Sequence, residues 1–444
     1  MPREGRVTPG DHLQTTWQLW LPGHQLARGE APWVDPYSFQ PTLEPRVNFA
    51  GWPFALVFGP LEALLGTVGG WNAFVLLTYV GAGGFAALWL RSLGLGLGPA
   101  LVGGLAFALA PYRVAQSTGH LLGPISMLLP LALYGIERRR GWIAVAALAS
   151  IPLSGQVHLA LGAIPFALAY AVVRGRRRAG VAAAAVSVAA GVLVWALTLR
   201  DAAERPYSEV EKYSATLLDF VRRDPGEFER FVYLGWLLPV AAAVGAGCLC
   251  LSVTNLRSRA LALVLALGAV VPSLLALGSN LPGYDFIWRN TPLGSTRVPE
   301  RLLPIASLCL AALAAHAVAC APGTRGRLRA VALAAGALVV ADLWVPLYDP
   351  LNADPDNPVY AQVADAPPGR LLETPVLPPD AYAGSVYLYY AMQAPRERPL
   401  GYATSAPPAA FAAARRLPEA ADELGVSVVV EYRGGAPSRI AVGR

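Results

Sequence analysis

The chain opens on a polar, aromatic stretch broken by prolines and then becomes a succession of apolar runs. From Thr8 to Pro41, charged, amide and aromatic residues are mixed without a continuous apolar core, as in Gly10-Asp-His-Leu-Gln-Thr-Thr-Trp-Gln-Leu-Trp20 and Asp35-Pro-Tyr-Ser-Phe-Gln-Pro41. Farther on come the runs Trp71–Leu90, Pro99–Ala110, Leu121–Ile136, Trp142–Pro152, His158–Val173, Val181–Leu199, Phe231–Val253, Ala260–Gly278, Leu302–Ala319 and Ala330–Pro346. A crossing helix needs about 20 apolar residues, and the pattern predicts about ten transmembrane helices. The segment Gly51–Gly66 is apolar but short, and it carries Pro53, Pro60 and Glu62. It is expected to lie along the membrane surface; if it crossed instead, Asp11 would be cytoplasmic.

After Pro346 the pattern changes again. Prolines crowd Asp349 to Pro358, Arg370–Val376 and Val426–Tyr432 read as strands, and Pro407–Leu424 reads as a helix. The chain therefore divides into an opening loop over 1–50, a multispanning domain over 51–348, and a small α/β appendage over 349–444 expected to dock on the outer loops.

Composition agrees with the pattern. The chain has 444 residues, 55% hydrophobic and 14% charged, with a mean hydropathy of +0.44, too apolar for a soluble protein of this size. The formal charge of +6 is carried by arginine, Lys212 being the one lysine. The arginines fall in clusters rather than on a basic face with stacking aromatics, which excludes a nucleic-acid partner. Cys248, Cys250, Cys309 and Cys320 all sit in apolar runs and read as small buried hydrophobes, neither disulfides nor metal ligands. The first forty residues show no apolar core of the signal-peptide kind.

The clusters set the topology. Basic residues are enriched in cytoplasmic loops, and Glu137–Arg140, Arg174–Arg178, Arg257–Arg259 and Arg325–Arg329 occupy every second loop. The alternate loops, Pro111–His120, Ser154–Gln156, Arg200–Arg230 and Ser279–Arg301, then lie outside with the C-terminal tail. Counting back, the helix Trp71–Leu90 starts outside, and Asp11 is outside with it. Nothing in Met1–Pro9 delivers that segment across a membrane. The expectation is a missing preceding helix, through a misplaced start or a truncated gene; alternatively, the first long span inserts with its N-terminus outside.

Taken together, Gly10-Asp-His-Leu-Gln with the following Trp17, Asp35-Pro-Tyr-Ser-Phe-Gln-Pro41, Pro111-Tyr-Arg with Gly119-His120, the Arg297-Val-Pro-Glu-Arg301 entry to a late helix and the soluble tail resemble the C-type membrane glycosyltransferases. The resemblance covers most of the chain, through short motifs. It implies an all-α polytopic membrane fold of about ten transmembrane helices and an interfacial helix, and a multispanning enzyme of the cytoplasmic membrane that takes its sugar from a polyprenyl-phosphate donor. In that superfamily an acidic residue of the first outer loop serves as base, and an interfacial helix follows, which agrees with the placement of Gly51–Gly66. The first transmembrane helix of the pattern is absent from this sequence.

Transfer of a sugar from a lipid phosphate needs a carboxylate to deprotonate the acceptor and cations for the departing phosphate. The resemblance makes Asp11 the base. Asp35, preceding a proline, reads as a turn residue and is the second acidic candidate, for contact with the acceptor or with a divalent cation such as Mg or Mn. Arg297 and Arg301 stand on the predicted outer side, against the positive-inside trend, and are candidates for the donor phosphate, together with Arg113 and His120 of the Pro111–His120 loop. His158 and His316 read as packing residues. Glu204, Glu209, Glu211 and Asp219 read as a solvated helix. The acceptor, whether glycan, lipid or protein, is not specified. The competing function is a non-catalytic or degenerate protein of the same fold, or a carrier of lipid-linked intermediates. Transport ranks lower, because the spans hold almost no ionisable residue beyond His316 and Asp342.

Overall fold

The computed structural model of the chain describes residues 7–47, 49–200, 206–224, 230–251, 256–345, 356–403, 406–417 and 419–442. Its elements run in the order α1 Asp11–Ala27, β1 Val34–Asp35, β2 Arg46–Val47, α2 Ala55–Ser92, α3 Leu97–Ala108, α4 Pro111–Ser117, α5 Leu122–Ile125, α6 Leu128–Glu137, α7 Gly141–Leu153 and α8 Val157–Val173. There follow α9 Arg177–Val194, α10 Tyr207–Tyr213, α11 Leu237–Leu251, α12 Leu256–Leu275, α13 Tyr284–Asn290, α14 Leu303–Ala319 and α15 Arg325–Leu343, then α16 Pro358–Asp365, β3 Arg370–Thr374, α17 Gly384–Ala391, α18 Pro408–Arg416, β4 Val426–Arg433 and β5 Ala436–Val442. The chain forms two compact units. One is Met1–Phe74 with Val194–Glu204 and Tyr348–Arg444, and the other is Val75–Leu193 with Arg205–Leu347.

The second unit is a bundle of apolar helices, and all ten apolar runs have become helix. Among the described residues, four stretches are long and apolar enough to cross a membrane: Ala55–Ser92, Arg177–Thr198, Leu256–Leu275 and Pro299–Ala319. There are five if α3 and α4, which meet at 51°, form one broken span. The break follows from Pro111, which cannot continue the hydrogen-bond ladder of α3. The other apolar helices are shorter, as in α7, α8 and α11. Large side chains such as Val80, Leu263 and Leu333 point outward at 72%, 59% and 76% exposure. Water would penalise that surface and lipid tails do not, so the chain is a membrane protein.

α14 is the centre of this bundle. Every residue from Leu303 to Ala315 is buried, as expected of a helix that is apolar all round, and it packs against α3, α11 and α12. Several polar residues inside the bundle are paired. Arg174 grips Glu137 with two hydrogen bonds of 2.8 and 2.7 Å, Tyr170 donates to the same carboxylate at 2.9 Å, and Trp89 donates to Tyr170 at 2.9 Å. Asp342 accepts from the N–H groups of Trp236, Leu237 and Leu238 at 2.9 to 3.3 Å, satisfying the open donors at the start of α11. The loops that charge alternation assigns to one side also meet: the N–H of Ser279 donates to Ser214 Oγ at 2.8 Å, and Asn280 donates to the carbonyl of Ala215 at 2.9 Å.

The first unit joins the two ends of the sequence. Its larger sheet has the order β3-β4-β5, with β3 and β4 parallel and β4 and β5 an antiparallel pair, and β1 and β2 form a separate antiparallel pair. Val7 and Leu13 share one core with Tyr360, Leu371, Val386, Tyr390, Val428 and Val430. The appendage read over 349–444 is thus packed with the opening segment, not folded alone. The strands at Arg370 and Val426 form as predicted, whereas the predicted helix Pro407–Leu424 stops at Arg416, before Pro418. β5, α16 and α17 were not legible as separate elements. The apolar segment Gly51–Gly66 is helical from Ala55, and within α2 it meets the run after it at a kink at Gly66, whose φ of 70° is open to glycine.

Candidate functional site

Asp11 is the first residue of α1. Its predecessor Gly10 is extended and lends no side-chain cap, so the Asp11 carboxylate is the negative group beside the positive helix end. Residues of the C-terminal segment surround it. The hydroxyl of Tyr402 donates to Asp11 Oδ1 at 3.0 Å, and Gln14 donates to the carbonyl of Tyr402 at 3.3 Å. The N–H of Gly10 donates to Ser385 Oγ at 3.1 Å, and that hydroxyl donates to the carbonyl of Tyr382 at 2.8 Å. The Tyr382 hydroxyl lies so close that a Cβ on Gly10 would sit 3.3 Å from it. Burial, and next the Asp11 charge, push the Tyr382 phenol up, so it stays protonated. Burial pushes the neighbouring His12 imidazole down to about 4, with Asp11 pulling the other way, so it is neutral at pH 7.

Two structures hold Tyr402 in place. The first is a backbone zipper: the N–H of Arg398 donates to Tyr37 O at 2.8 Å, that of Gln40 to Arg398 O at 2.8 Å, and that of Phe39 to Leu400 O at 3.3 Å. The second is the pair of Arg398 and Glu373, 1% and 0% exposed, with Nη1 to Oε1 at 2.9 Å. Arg398 also lies over the Trp17 ring, 5.9 Å from its centroid. Farther along α1, Trp20 stacks on His24 at 4.2 Å, and His24 Nε2 shares a 2.9 Å hydrogen bond with the Tyr37 hydroxyl.

Asp35 lies in the same unit in a different role. Its Oδ1 accepts from the N–H groups of Tyr37 and Ser38 at 2.9 and 3.2 Å, the side-chain turn expected of an Asp before proline. Among the described residues no group of three or more His, Cys, Asp and Glu is placed to hold a metal ion.

The four candidate cations belong to the other unit. Arg113 is fully buried and donates to the carbonyls of Ala108 at 3.1 Å and Thr78 at 2.8 Å. It closes the end of α3 onto α2, a structural task that engages its guanidinium. His120 Nδ1 meets Gln116 Oε1 at 2.8 Å. Arg297 pairs with Glu209 at 3.6 Å and lies over the Tyr213 ring. Arg301 follows the buried Glu300 on the turn Pro299–Leu302 that leads into α14. Glu209 thus faces an arginine; Glu204 lies outside the described residues.

The sequence pointed to Asp11 but not to the residues that hold it. Tyr402, Tyr382 and Ser385 are nearly four hundred positions away, and the one signal toward them is the density of tyrosine in Val386-Tyr-Leu-Tyr-Tyr390.

The fold is similar to those of two glycosyltransferases of known structure. The arabinofuranosyltransferase AftD from Mycobacteria superposes with a TM-score of 0.60 at 18% identity, over 99% of this chain and 34% of its own. The oligosaccharyltransferase of Archaeoglobus fulgidus in its apo form superposes with a TM-score of 0.51 at 11% identity, over 96% of this chain and 66% of its own. The chain thus spans about a third of the length of the first and just under two thirds of the second. No protein-family model matches the chain, and no curated protein matches its sequence.

Proposed function

We propose that this membrane protein is a glycosyltransferase that moves a sugar from a polyprenyl-phosphate donor to an acceptor hydroxyl on the outer face of the cytoplasmic membrane, with Asp11 as general base. The observation that carries the reading is the carboxylate at the head of α1, oriented by the Tyr402 hydroxyl at 3.0 Å, in a chain with the fold of membrane glycosyltransferases. Asp11 takes the proton of the acceptor hydroxyl as its oxygen bonds to the anomeric carbon. The bond from that carbon to the phosphate oxygen breaks, and the electron pair leaves with the polyprenyl phosphate. Arg297 and Arg301 neutralise the departing phosphate; a guanidinium has five N–H donors, so the pairing of Arg297 with Glu209 leaves capacity for phosphate oxygens. His120 completes the set. Asp35 shapes the loop behind Asp11.

The test is transfer of labelled sugar from a polyprenyl-phosphate donor in membranes carrying the chain. Asp11→Asn is expected to lower the rate by about 10²–10⁴-fold, the usual contribution of a positioned base. Equal rates for Asp11→Asn and wild type would remove Asp11 from the chemistry.

A further inference from the structure

Two helices of the bundle end side by side in tryptophan. Asp342, near the end of α15, accepts from the N–H groups at the start of α11, so Trp236, which precedes α11, and Trp344, which follows α15, stand at one level. Both are exposed, at 53% and 63%, and each continues a stripe of exposed side chains at helical spacing: Val240 and Val244 on α11, Val340 and Leu333 on α15. Stripes of this kind face lipid tails. This end of the two helices is the one remote from Arg257–Arg259 and Arg325–Arg329.

Between the two tryptophans hangs the turn Thr216–Arg223. The indole N–H of Trp236 donates to Val221 O at 2.9 Å. Arg223 donates to the carbonyls of Ala341 at 2.7 Å and Trp344 at 3.1 Å, and its guanidinium lies over the Trp236 ring, 5.9 Å from the centroid. Much of the backbone of the turn is satisfied by the chain itself: the N–H of Asp219 donates to Thr216 O and those of Val221 and Arg222 to Leu218 O, all at 3.1 Å, and that of Leu234 donates to Phe220 O at 3.4 Å. Asp219, read from the sequence as part of a solvated helix, instead accepts from the N–H and the hydroxyl of Thr216 at 2.8 Å each and faces Arg222 and Arg230. Its charge is turned inward, and the tip presents Leu217, Leu218 and Val221 at 74%, 58% and 51% exposure.

We infer that the turn Thr216–Arg223 is an interfacial anchor, which inserts its apolar tip among the lipid head groups of the leaflet opposite the arginine clusters. The occupant is lipid because the patch continues the lipid-facing stripes of α11 and α15, and tryptophans at helix ends mark the head-group level. Arg222, 56% exposed beside the tip, meets lipid phosphate there. Insertion stops at that level, since irregular backbone is not tolerated in the hydrocarbon below it. α10, directly before the turn, carries Glu209 and through it Arg297, so the anchor sets the height of that pair at the membrane surface. The inference stands apart from the transferase reading.

The test is site-specific photocross-linking of the full chain in membranes of phosphatidylethanolamine and phosphatidylglycerol. The photoreactive residue p-benzoylphenylalanine is placed at Leu217, at Leu218 or, as a lipid-facing reference, at Leu333, and mass spectrometry identifies what it captures. Adducts to phospholipid are expected at all three positions. Arg223→Met should lose most of the adduct at Leu217 and keep the one at Leu333, which reports an intact bundle. Adducts only to protein at Leu217 and Leu218, or none to lipid at either while Leu333 gives them, would overturn the inference. An equal Leu217 adduct in Arg223→Met would overturn the role given to Arg223.

Discussion

The hydroxyl of Tyr402 and the carboxylate of Asp11 are 391 positions apart in sequence and 3.0 Å apart in space. A hydrogen bond donated to a carboxylate favours its charged form. Removing it raises the pKa of the acid, and a base with a raised pKa is protonated over a wider acidic range. Tyr402→Phe should therefore move the acidic limb of the transfer rate to higher pH by about 1–2 units, the equivalent of about 1.5–3 kcal/mol for a hydrogen bond to a charged group. Because Tyr402 is 5% exposed, the phenylalanine keeps the packing. A rate profile with an unmoved acidic limb would mean that Tyr402 holds the loop without acting on Asp11.

Arg398 and Glu373 bear on the fold of the same unit. Their ion pair is fully buried, and a buried charge stripped of its partner costs about 3–5 kcal/mol. Arg398→Met alone should lower the thermal midpoint of the solubilised protein sharply, since it strands Glu373 among the Tyr360, Tyr387 and Tyr432 rings. Arg398→Met combined with Glu373→Leu should recover most of the loss, because the pair is exchanged for apolar groups of similar size. A double variant as unstable as the single one would show that the pair is worth more than its own desolvation.

The membrane part of this fold is legible because its signal is local: a run of apolar residues becomes a helix wherever it is placed, and all ten runs did. Asp11 was legible through a short motif and Asp35 through the proline beside it. The union of the two ends was not. It rests on Val7 and Leu13 meeting Leu371 and Val428, and on three backbone hydrogen bonds between Tyr37–Gln40 and Arg398–Leu400. Backbone pairing carries no residue code, and contacts between distant ends leave no period in a single sequence. Arg113 illustrates the same limit: an arginine in a short loop reads as exposed, and only the bend between α3 and α4 shows it turned inward to two carbonyls.

His12 gives the unit a pH dependence with a definite sign. Burial holds the folded imidazole down at about 4, against 6.5 for the unfolded chain. The unfolded state takes up a proton that the folded state refuses, so the stability contributed by this group is present above pH 6.5 and is lost as pH falls toward 4. The melting temperature should decline across that window, and His12→Gln should flatten the decline. An identical decline in the variant would assign it to other groups.

Gly245 and Gly247 are two residues apart on α11 and face different surroundings. A Cβ on Gly245 would sit 1.8 Å from the carbonyl oxygen of Leu313 and 3.0 Å from the amide nitrogen of Ala317, both backbone atoms of α14, whereas one on Gly247 would meet nothing within 4 Å. Gly245→Ala must therefore push α11 away from the central helix, and overpacking of this kind costs about 1–3 kcal/mol. Gly247→Ala meets no such obstacle and gains the helix preference of alanine over glycine, about 0.5–1 kcal/mol. The two substitutions are chemically identical, so a thermal midpoint that falls for the first and holds or rises for the second isolates the helix contact. Equal midpoints would show that α11 and α14 can separate without cost, contrary to a bundle whose centre is close-packed.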